Sequence, residues 1–309
     1  SSIPKLNVKL KQNIRRNTKA YSLPEKEESE VKAFFNLLLK NNLIKVADSD
    51  SSFGAPVFTV PSRNPKDTLP RIIVDCRYVN SCIESGVSAS MPDYKNLLEK
   101  QIAKGKYITC LDMKKMYYSI VVHPDSLKTG AFNVLTSFGA FTFLRAITGF
   151  ASVPSYAVQT FNKYLHIDEN GLFDYIENIL VFIDDITIVT GFDETIDDHI
   201  NKVELVLKRL KHIGVKLSPS KAKVCIDLDT DSIEILGFKI NKRKICVPDK
   251  KLEGLKNLSD PDTLKKLQTF LGKLNFYRSL FPLKLHNCLN VLYKKLSPFN
   301  YDEEAKLAF

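Results

Sequence analysis

The stretch Val181-Phe182-Ile183-Asp184-Asp185-Ile186-Thr187-Ile188-Val189 sets two adjacent carboxylates between two runs of β-forming apolar residues. Side chains alternate faces along a strand, so neighbouring aspartates share one site only where the chain turns tightly. The reading is two strand-like runs, Ile179–Ile183 and Ile186–Val189, with the acidic pair between them. Carboxylates stranded in such apolar company are costly to bury unpaired. A divalent cation would relieve that cost, and Mg²⁺ takes oxygen ligands from a few carboxylates. Asp197-Asp198 serves as an internal contrast: it precedes an amphipathic run and reads as helix capping.

Working outward, Tyr107–Leu111 reads as a short apolar strand that ends at a third carboxylate, Asp112. After the acidic pair, Asp198–Ile213 reads as a helix with Ile200, Val203, Leu207 and Leu210 on one face and Gly214 closing it. Ile233–Ile240 reads as one more strand. Beyond Pro248 the pattern turns helical, with Asp260-Pro261 supplying an N-cap and first-turn proline for a helix to about Tyr277. On the N-terminal side, Glu25–Asn41 reads as a helix with Glu25, Glu27 and Glu28 in its first turn and Val31, Phe34, Phe35 and Leu38 on one face. Ala55–Val60 and Arg71–Asp75 read as strands of a hairpin whose long tip, Pro61–Pro70, is basic.

The chain has 309 residues, 44% hydrophobic and 26% charged, enough for a sizeable core in two or three subdomains. Its net charge of +10 favours a polyanionic partner. No apolar run approaches a membrane span, and the polar, basic Ser1–Arg16 has no apolar core, so neither a membrane anchor nor a signal peptide is expected. Six cysteines without a C-x-x-C pair and five scattered histidines argue against zinc and for reduced, mostly buried thiols.

Four segments together resemble the reverse transcriptases of retroviruses and gypsy-type LTR retrotransposons: L-D-M-K-K-M-Y-Y-S-I (111–120), V-F-I-D-D-I (181–186), I-L-G-F-K-I (235–240) and L-Q-T-F-L-G-K-L-N-F-Y-R (267–278). One alone would be weak; their order and spacing carry the likeness, which runs from about Val31 to Phe309. The resemblance implies an α/β (α+β) right-hand polymerase with an antiparallel palm sheet backed by helices. The expected divisions are fingers at 1–86 and 121–152, palm at 87–120 and 153–246, thumb at 247–296, and the start of a connection region at 297–309.

By the same resemblance, Asp112, Asp184 and Asp185 are the catalytic carboxylates and ligands of two Mg²⁺ ions, with Mn²⁺ as a substitute. Two such ions about 4 Å apart support in-line phosphoryl transfer. Met113 follows the first aspartate beside the dNTP, and Tyr117 abuts the sugar, where a ring leaves no room for a 2′-OH. Arg71 is expected on the triphosphate, with Arg63 first and Lys66 second as the loop-tip partner. Lys221 is expected near the leaving pyrophosphate as a proton donor, although a surface lysine in a lysine-rich stretch explains it nearly as well.

Asp75, Arg77 and Asn80 match the V-D-x-R-x-x-N stretch that holds the template. Gly149 and Pro154 match a G-x-x-x-x-P segment beside the nucleotide pocket. There the chain departs from the family: Ile147-Thr148-Gly149 replaces Pro-Phe-Gly or Pro-Gln-Gly, and Thr148 is too short for the usual contact, which bears on nucleotide affinity and fidelity. Gly237 and Phe238 match the turn that grips the primer end. Gln268, Gly272 and Phe276, spaced i, i+4, i+8, match a helix face that follows the duplex minor groove; relatives often carry tryptophan at the last position, and this chain has no tryptophan.

The expected partners are dNTP and an RNA or DNA template–primer duplex, in a homodimer or in a heterodimer with an RNase H-containing form. The expected location is the cytoplasm, within a virus-like particle. No RNase H, protease or integrase sequence is read in the chain. Two rival readings stand beside the polymerase: a folded, non-catalytic scaffold subunit, and an RNA-dependent RNA polymerase, which Tyr117 disfavours.

Overall fold

The glutamate-rich first turn does start a helix: α1 runs Glu25–Lys40 and buries Val31, Phe35 and Leu38. The computed structural model describes residues 3–11, 14, 18–48, 53–62, 70–84, 93–166 and 177–309. The chain divides into two units, Ser1–Gln101 with Ile108–Cys225, and Ile102–Tyr107 with Ile226–Phe309.

In chain order, α1 is followed by β1 (Ile44–Val46), β2 (Ala55–Val60), β3 (Arg71–Val74), α2 (Arg77–Cys82), α3 (Tyr94–Ala103), β4 (Gly105–Asp112), α4 (Pro124–Lys128), β5 (Asn133–Thr136) and β6 (Gly139–Phe143). Then come α5 (Val153–His166), β7 (Ile179–Phe182), β8 (Asp185–Gly191), α6 (Ile196–His212) and β9 (Lys223–Asp227). One sheet has the order β1-β6-β5-β2-β3, a second β7-β8-β4-β9. The β2–β3 hairpin forms as read, with Val60 opposite Arg71. The β2–β5 pair is parallel. The first unit's core gathers Phe35, Phe132, Phe150 and Phe161 with Met113, Met116 and Ile120, all 1% exposed or less.

Helix α6 corrects one expectation. Its start is a capping box between Thr195 and Asp198, so the Asp197-Asp198 contrast holds, and Gly214 follows at φ +78°. The buried face, however, is His199, Val203, Val206, Arg209 and Leu210; Ile200 and Leu207 are 40% and 38% exposed. The seam is rotated because two polar side chains find partners inside, and a purely apolar reading cannot see them.

The second unit contains β10 (Ser232–Ile235), β11 (Phe238–Asn241), β12 (Lys244–Cys246), α7 (Asp249–Lys256), α8 (Leu264–Asn275), α9 (Leu283–Lys294) and α10 (Glu303–Ala308). The single strand expected over Ile233–Ile240 is a hairpin. Leu236 and Gly237 both take positive φ, +48° and +82°, and Ile235 pairs with Phe238 across that two-residue turn. The N-cap of α8 is Thr263, whose hydroxyl accepts from Lys266 N; Asp260-Pro261 lies outside the helix, which ends at Asn275. Leu267, Leu271 and Leu274 of α8 bury against Leu289, Leu292 and Ala305. Full burial of each leucine is worth about 2 kcal/mol.

Among the described residues no helix is long and apolar enough to cross a membrane. None of the six cysteines is in a disulfide; Cys76 and Cys82 are buried and the others half-buried.

Candidate active site and nucleic-acid interface

The β7–β8 hairpin closes on the pair Phe182–Asp185, which leaves Ile183-Asp184 as a two-residue turn. Ile183 sits at φ +57°, a left-handed conformation that L-residues take at a cost of roughly 1–2 kcal/mol. A β-branched residue held there is an outlier of the kind that concentrates at functional sites. Two backbone bonds bring this turn and another loop to the end of β4: Met113 N donates to Asp184 O at 2.7 Å, and Ser218 N donates to Asp112 O at 2.9 Å. Strands β8 and β4 are neighbours, so Asp112, Asp184 and Asp185 stand at one end of one sheet.

Their electrostatics register that proximity. Burial, then the charges of Asp184 and Asp112, push Asp185 up to about 6, with Lys221 and Lys223 opposing. Asp184 is raised by burial first and by Asp112 after it, against the pull of its own backbone hydrogen bond and of Lys221. Asp112 is held by Lys221, whose Nζ donates to Oδ1 at 2.7 Å. Near Asp185, the Tyr94 hydroxyl lies 2.6 Å from Thr187 Oγ1, and burial lifts the neighbouring Cys110 thiol to about 12. Tyr117, on a 3-10 turn at Met116–Ser119, is half-buried against the core; its phenol is raised by burial and by the charge of Asp184.

Three carboxylate donors in one another's field are the kind of oxygen set that a hard divalent cation takes. Among the described residues, no three such side chains converge closely enough in this structure to grip an ion, and Asp112 is turned to Lys221. The donor chemistry of Asp112, Asp184 and Asp185 fits such an ion.

The remaining expected residues are distributed more widely. Arg71 opens β3 and is exposed; Arg63 and Lys66 lie outside the described residues. Asp75 is clasped by Arg77 (Nε to Oδ1 2.9 Å, Nη2 to Oδ2 2.7 Å) and by the Tyr21 hydroxyl at 2.8 Å, which holds its carboxyl well below the usual range. Asp75 and Arg77 border a cavity of about 650 Å³ with Thr18, Lys19, Tyr21 and Phe53. Asn80 spends both ends of its amide elsewhere: Nδ2 donates to Gly149 O at 2.9 Å and Oδ1 accepts from Ala151 N at 3.0 Å. It thereby clamps the turn on which Thr148 and Gly149 stand exposed, Gly149 at φ +106°, ahead of Pro154 in the first turn of α5.

In the second unit, Tyr277 donates its hydroxyl to Gly237 O at 3.0 Å. Phe238 is 6% exposed and stacks under Phe276, centroids 4.9 Å apart and planes at 18°; Phe276 itself is 53% exposed. The surface residue of that stack is Phe276, not Phe238. Gln268 and Gly272 are exposed on α8, outside the seam of its buried leucines. A Cβ added at Gly272 would meet nothing within 4 Å, so no helix packs against this glycine in the described structure.

Residues 63–240, more than half the chain, match the family profile "Reverse transcriptase (RNA-dependent DNA polymerase)". The chain belongs to the reverse transcriptase family. Among curated relatives, the Pro-Pol polyprotein of simian foamy virus type 3 is 27% identical over 267 residues, covering 86% of this chain and 21% of that protein. The retrovirus-related Pol polyprotein from transposon opus of Drosophila melanogaster is 27% identical over 278 residues, 87% of this chain and 26% of that one. The chain thus spans about a quarter or less of these relatives. The foamy viral protease–reverse transcriptase solved with double-stranded DNA superposes with a TM-score of 0.81 at 22% identity, over 99% of this chain and 51% of that one. The same viral enzyme with RNA/DNA hybrid gives 0.79 at 22% identity, over 99% and 39%. The fold of this reverse transcriptase domain is therefore the mixed α+β right-hand polymerase fold.

Sequence reasoning missed two buried polar residues of this domain, His199 and Arg209, both on α6. His199 bonds Thr109 on β4 and Thr190 on β8, and Arg209 donates to Leu165 O on α5. Their positions four residues before Val203 and three after Val206 were the available signal, since both fall on the apolar seam.

Proposed function

We propose that this chain extends a primer 3′-OH with dNTPs on an RNA or DNA template. The observation that carries the reading is the tie between the end of β4 and the Ile183-Asp184 turn, Met113 N to Asp184 O at 2.7 Å, which sets beside Asp112 two carboxylates raised by burial and by its charge. Asp112, Asp184 and Asp185 would hold two Mg²⁺ ions, or Mn²⁺, whose charge supports the attacking 3′-oxygen and the departing pyrophosphate. The half-buried Tyr117, in the field of Asp184, supports a role against the sugar edge that rejects a 2′-OH. Arg71 and Lys221 supply positive charge for the triphosphate, and the Asp75–Arg77 pair lines a cavity suited to the template strand. On α8 and at its C-cap, exposed Gln268, Gly272 and Phe276 offer a polar, a small and a flat contact for a shallow minor groove.

Primer extension on poly(rA)/oligo(dT) with dTTP and Mg²⁺ tests this, beside Asp184→Asn and Asp185→Asn. Extension by the natural sequence, lost in both variants, is expected. Absent extension with duplex binding intact would overturn the catalytic reading and leave a folded scaffold subunit.

A further inference from the structure

Lys221 is held over Asp112 from two directions. Its 3-10 turn, Pro219–Lys221, closes through Lys221 N to Ser218 O at 3.0 Å, and the start of that turn is fastened to β4 by Ser218 N to Asp112 O at 2.9 Å. One residue, Asp112, therefore accepts the backbone that carries Lys221 and also the Lys221 ammonium, at 2.7 Å. The partners are unequal: the Asp112 side chain is 15% exposed and that of Lys221 65%. The carboxylate is the fixed member, and the ammonium can leave for water without unfolding anything.

The charge of Lys221 reaches all three carboxylates, since it draws Asp184 and Asp185 down as well as pairing with Asp112. It is the counter-ion paired with Asp112 and, with Lys223, one of two that oppose the charge of Asp185. A divalent cation on the same cluster needs the oxygens of Asp112, one of which Lys221 occupies. Ammonium and cation are then alternatives at Asp112 Oδ1, and linkage requires each to weaken the other.

We propose that Lys221 is an exchangeable internal counter-ion: it neutralises the carboxylates before the cation arrives, must be displaced from Asp112 on loading, and so sets the affinity of the site for the ion. The inference rests on the reading of Asp112, Asp184 and Asp185 as cation ligands. Displacement leaves the ammonium on an anchored turn at the margin of the site.

The test is Mn²⁺ binding to the whole chain, without nucleic acid or dNTP, read as free ion by electron paramagnetic resonance, with melting temperatures in EDTA and in Mn²⁺. Lys221→Met is expected to tighten Mn²⁺ binding about threefold to fivefold, the scale of a partly exposed ion pair. The same variant should melt below the natural sequence in EDTA, where its carboxylates have lost their counter-ion, and regain the difference in saturating Mn²⁺. Lys221→Arg keeps the charge on Asp112 and should bind no tighter than the natural sequence. Binding that disappears in Asp184→Asn but is unchanged or weakened by Lys221→Met would overturn the exchange while leaving the cation site standing. Absence of any Asp184-dependent Mn²⁺ binding would overturn the cation site itself, and the exchange with it.

Discussion

The imidazole of His199 on α6 stands 2.8 Å from the hydroxyl of Thr109, three residues before Asp112 on β4. Its other ring nitrogen meets Thr190 on β8, and Thr109 also accepts Cys225 N on β9 at 3.0 Å. One fully buried side chain thus knots together the strands whose ends carry Asp112 and Asp185. Replacing it by phenylalanine keeps an aromatic ring, a somewhat larger one, and takes both ring nitrogens from the buried Thr109 and Thr190, at about 1–3 kcal/mol for each hydrogen-bonding group left unsatisfied. Urea unfolding of His199→Phe should show a loss of roughly 2–4 kcal/mol. A loss under about 0.5 kcal/mol, the scale of a neutral surface change, would mean the knot is dispensable.

The same histidine predicts a pH dependence. Burial first, and then Lys202, lower it from its usual 6.5 to about 4. The unfolded chain therefore binds a proton that the folded chain refuses between those values. Stability is complete above pH 6.5, falls as pH drops towards 4, and levels off below. A shift of that size corresponds to about 3 kcal/mol at most. Unfolding free energies of the natural sequence and His199→Phe, taken at pH 7 and 4.5, should converge at the lower pH. Parallel losses in both proteins would assign the acid sensitivity elsewhere.

What the sequence disclosed followed from local pattern. The β7–β8 hairpin was legible because two apolar runs flank an acidic pair that cannot share a face otherwise, and α1 because its acidic first turn and apolar period agree. The β10–β11 hairpin was visible as a motif and hidden from periodicity, since Ile233 to Ile240 reads as one apolar run and only the positive φ of Leu236 and Gly237 breaks it. The knot at His199 and the Asn80 clamp on Gly149 join residues 90 and 69 positions apart, and the Lys221–Asp112 pair spans 109. Such contacts leave no local trace, because they are made by tertiary packing between elements whose own patterns are silent about their partners.

Asp185 carries a charge that its burial and its two acidic neighbours do not favour. Its carboxyl is raised to about 6 by burial and by Asp184 and Asp112, so above that pH its ionised form weighs against folding, and the penalty fades as pH falls from 6 towards the usual 3.8. This slope is opposite in sign to that of His199. At pH 7.5 in EDTA, Asp185→Asn should unfold later than the natural sequence by about 1 kcal/mol, a figure reduced for the partial exposure of the site. It should at the same time abolish primer extension. Equal or lower stability in the variant would show that the carboxylates are not in mutual strain.

Tyr117 packs against the core on one side and feels Asp184 on the other. Tyr117→Ala should raise the ratio of rNTP to dNTP kcat/KM by at least about tenfold, the lower end of what one steric contact discriminates. An unchanged ratio would return Tyr117 to the core.

Gly272 separates folding from function on α8. A glycine inside a helix is less favourable than alanine by about 1 kcal/mol. Here no neighbouring atom demands it, since a methyl at this position meets nothing within 4 Å. Gly272 borders a groove of about 450 Å³ with Lys250, Lys251, Leu255, Lys273 and Phe276. The unfavourable residue thus stands on an open, basic face, where we propose the close approach of a visitor from outside the fold. If that visitor is the duplex, Gly272→Ala should raise the melting temperature by a few degrees, consistent with a gain of up to about 1 kcal/mol. It should also weaken template–primer binding, about threefold or more for a methyl forced into a tight contact. Fluorescence anisotropy with a labelled RNA/DNA hybrid, read beside thermal melting, resolves the two effects. Higher stability with unchanged duplex affinity would remove this face of α8 from the nucleic-acid interface.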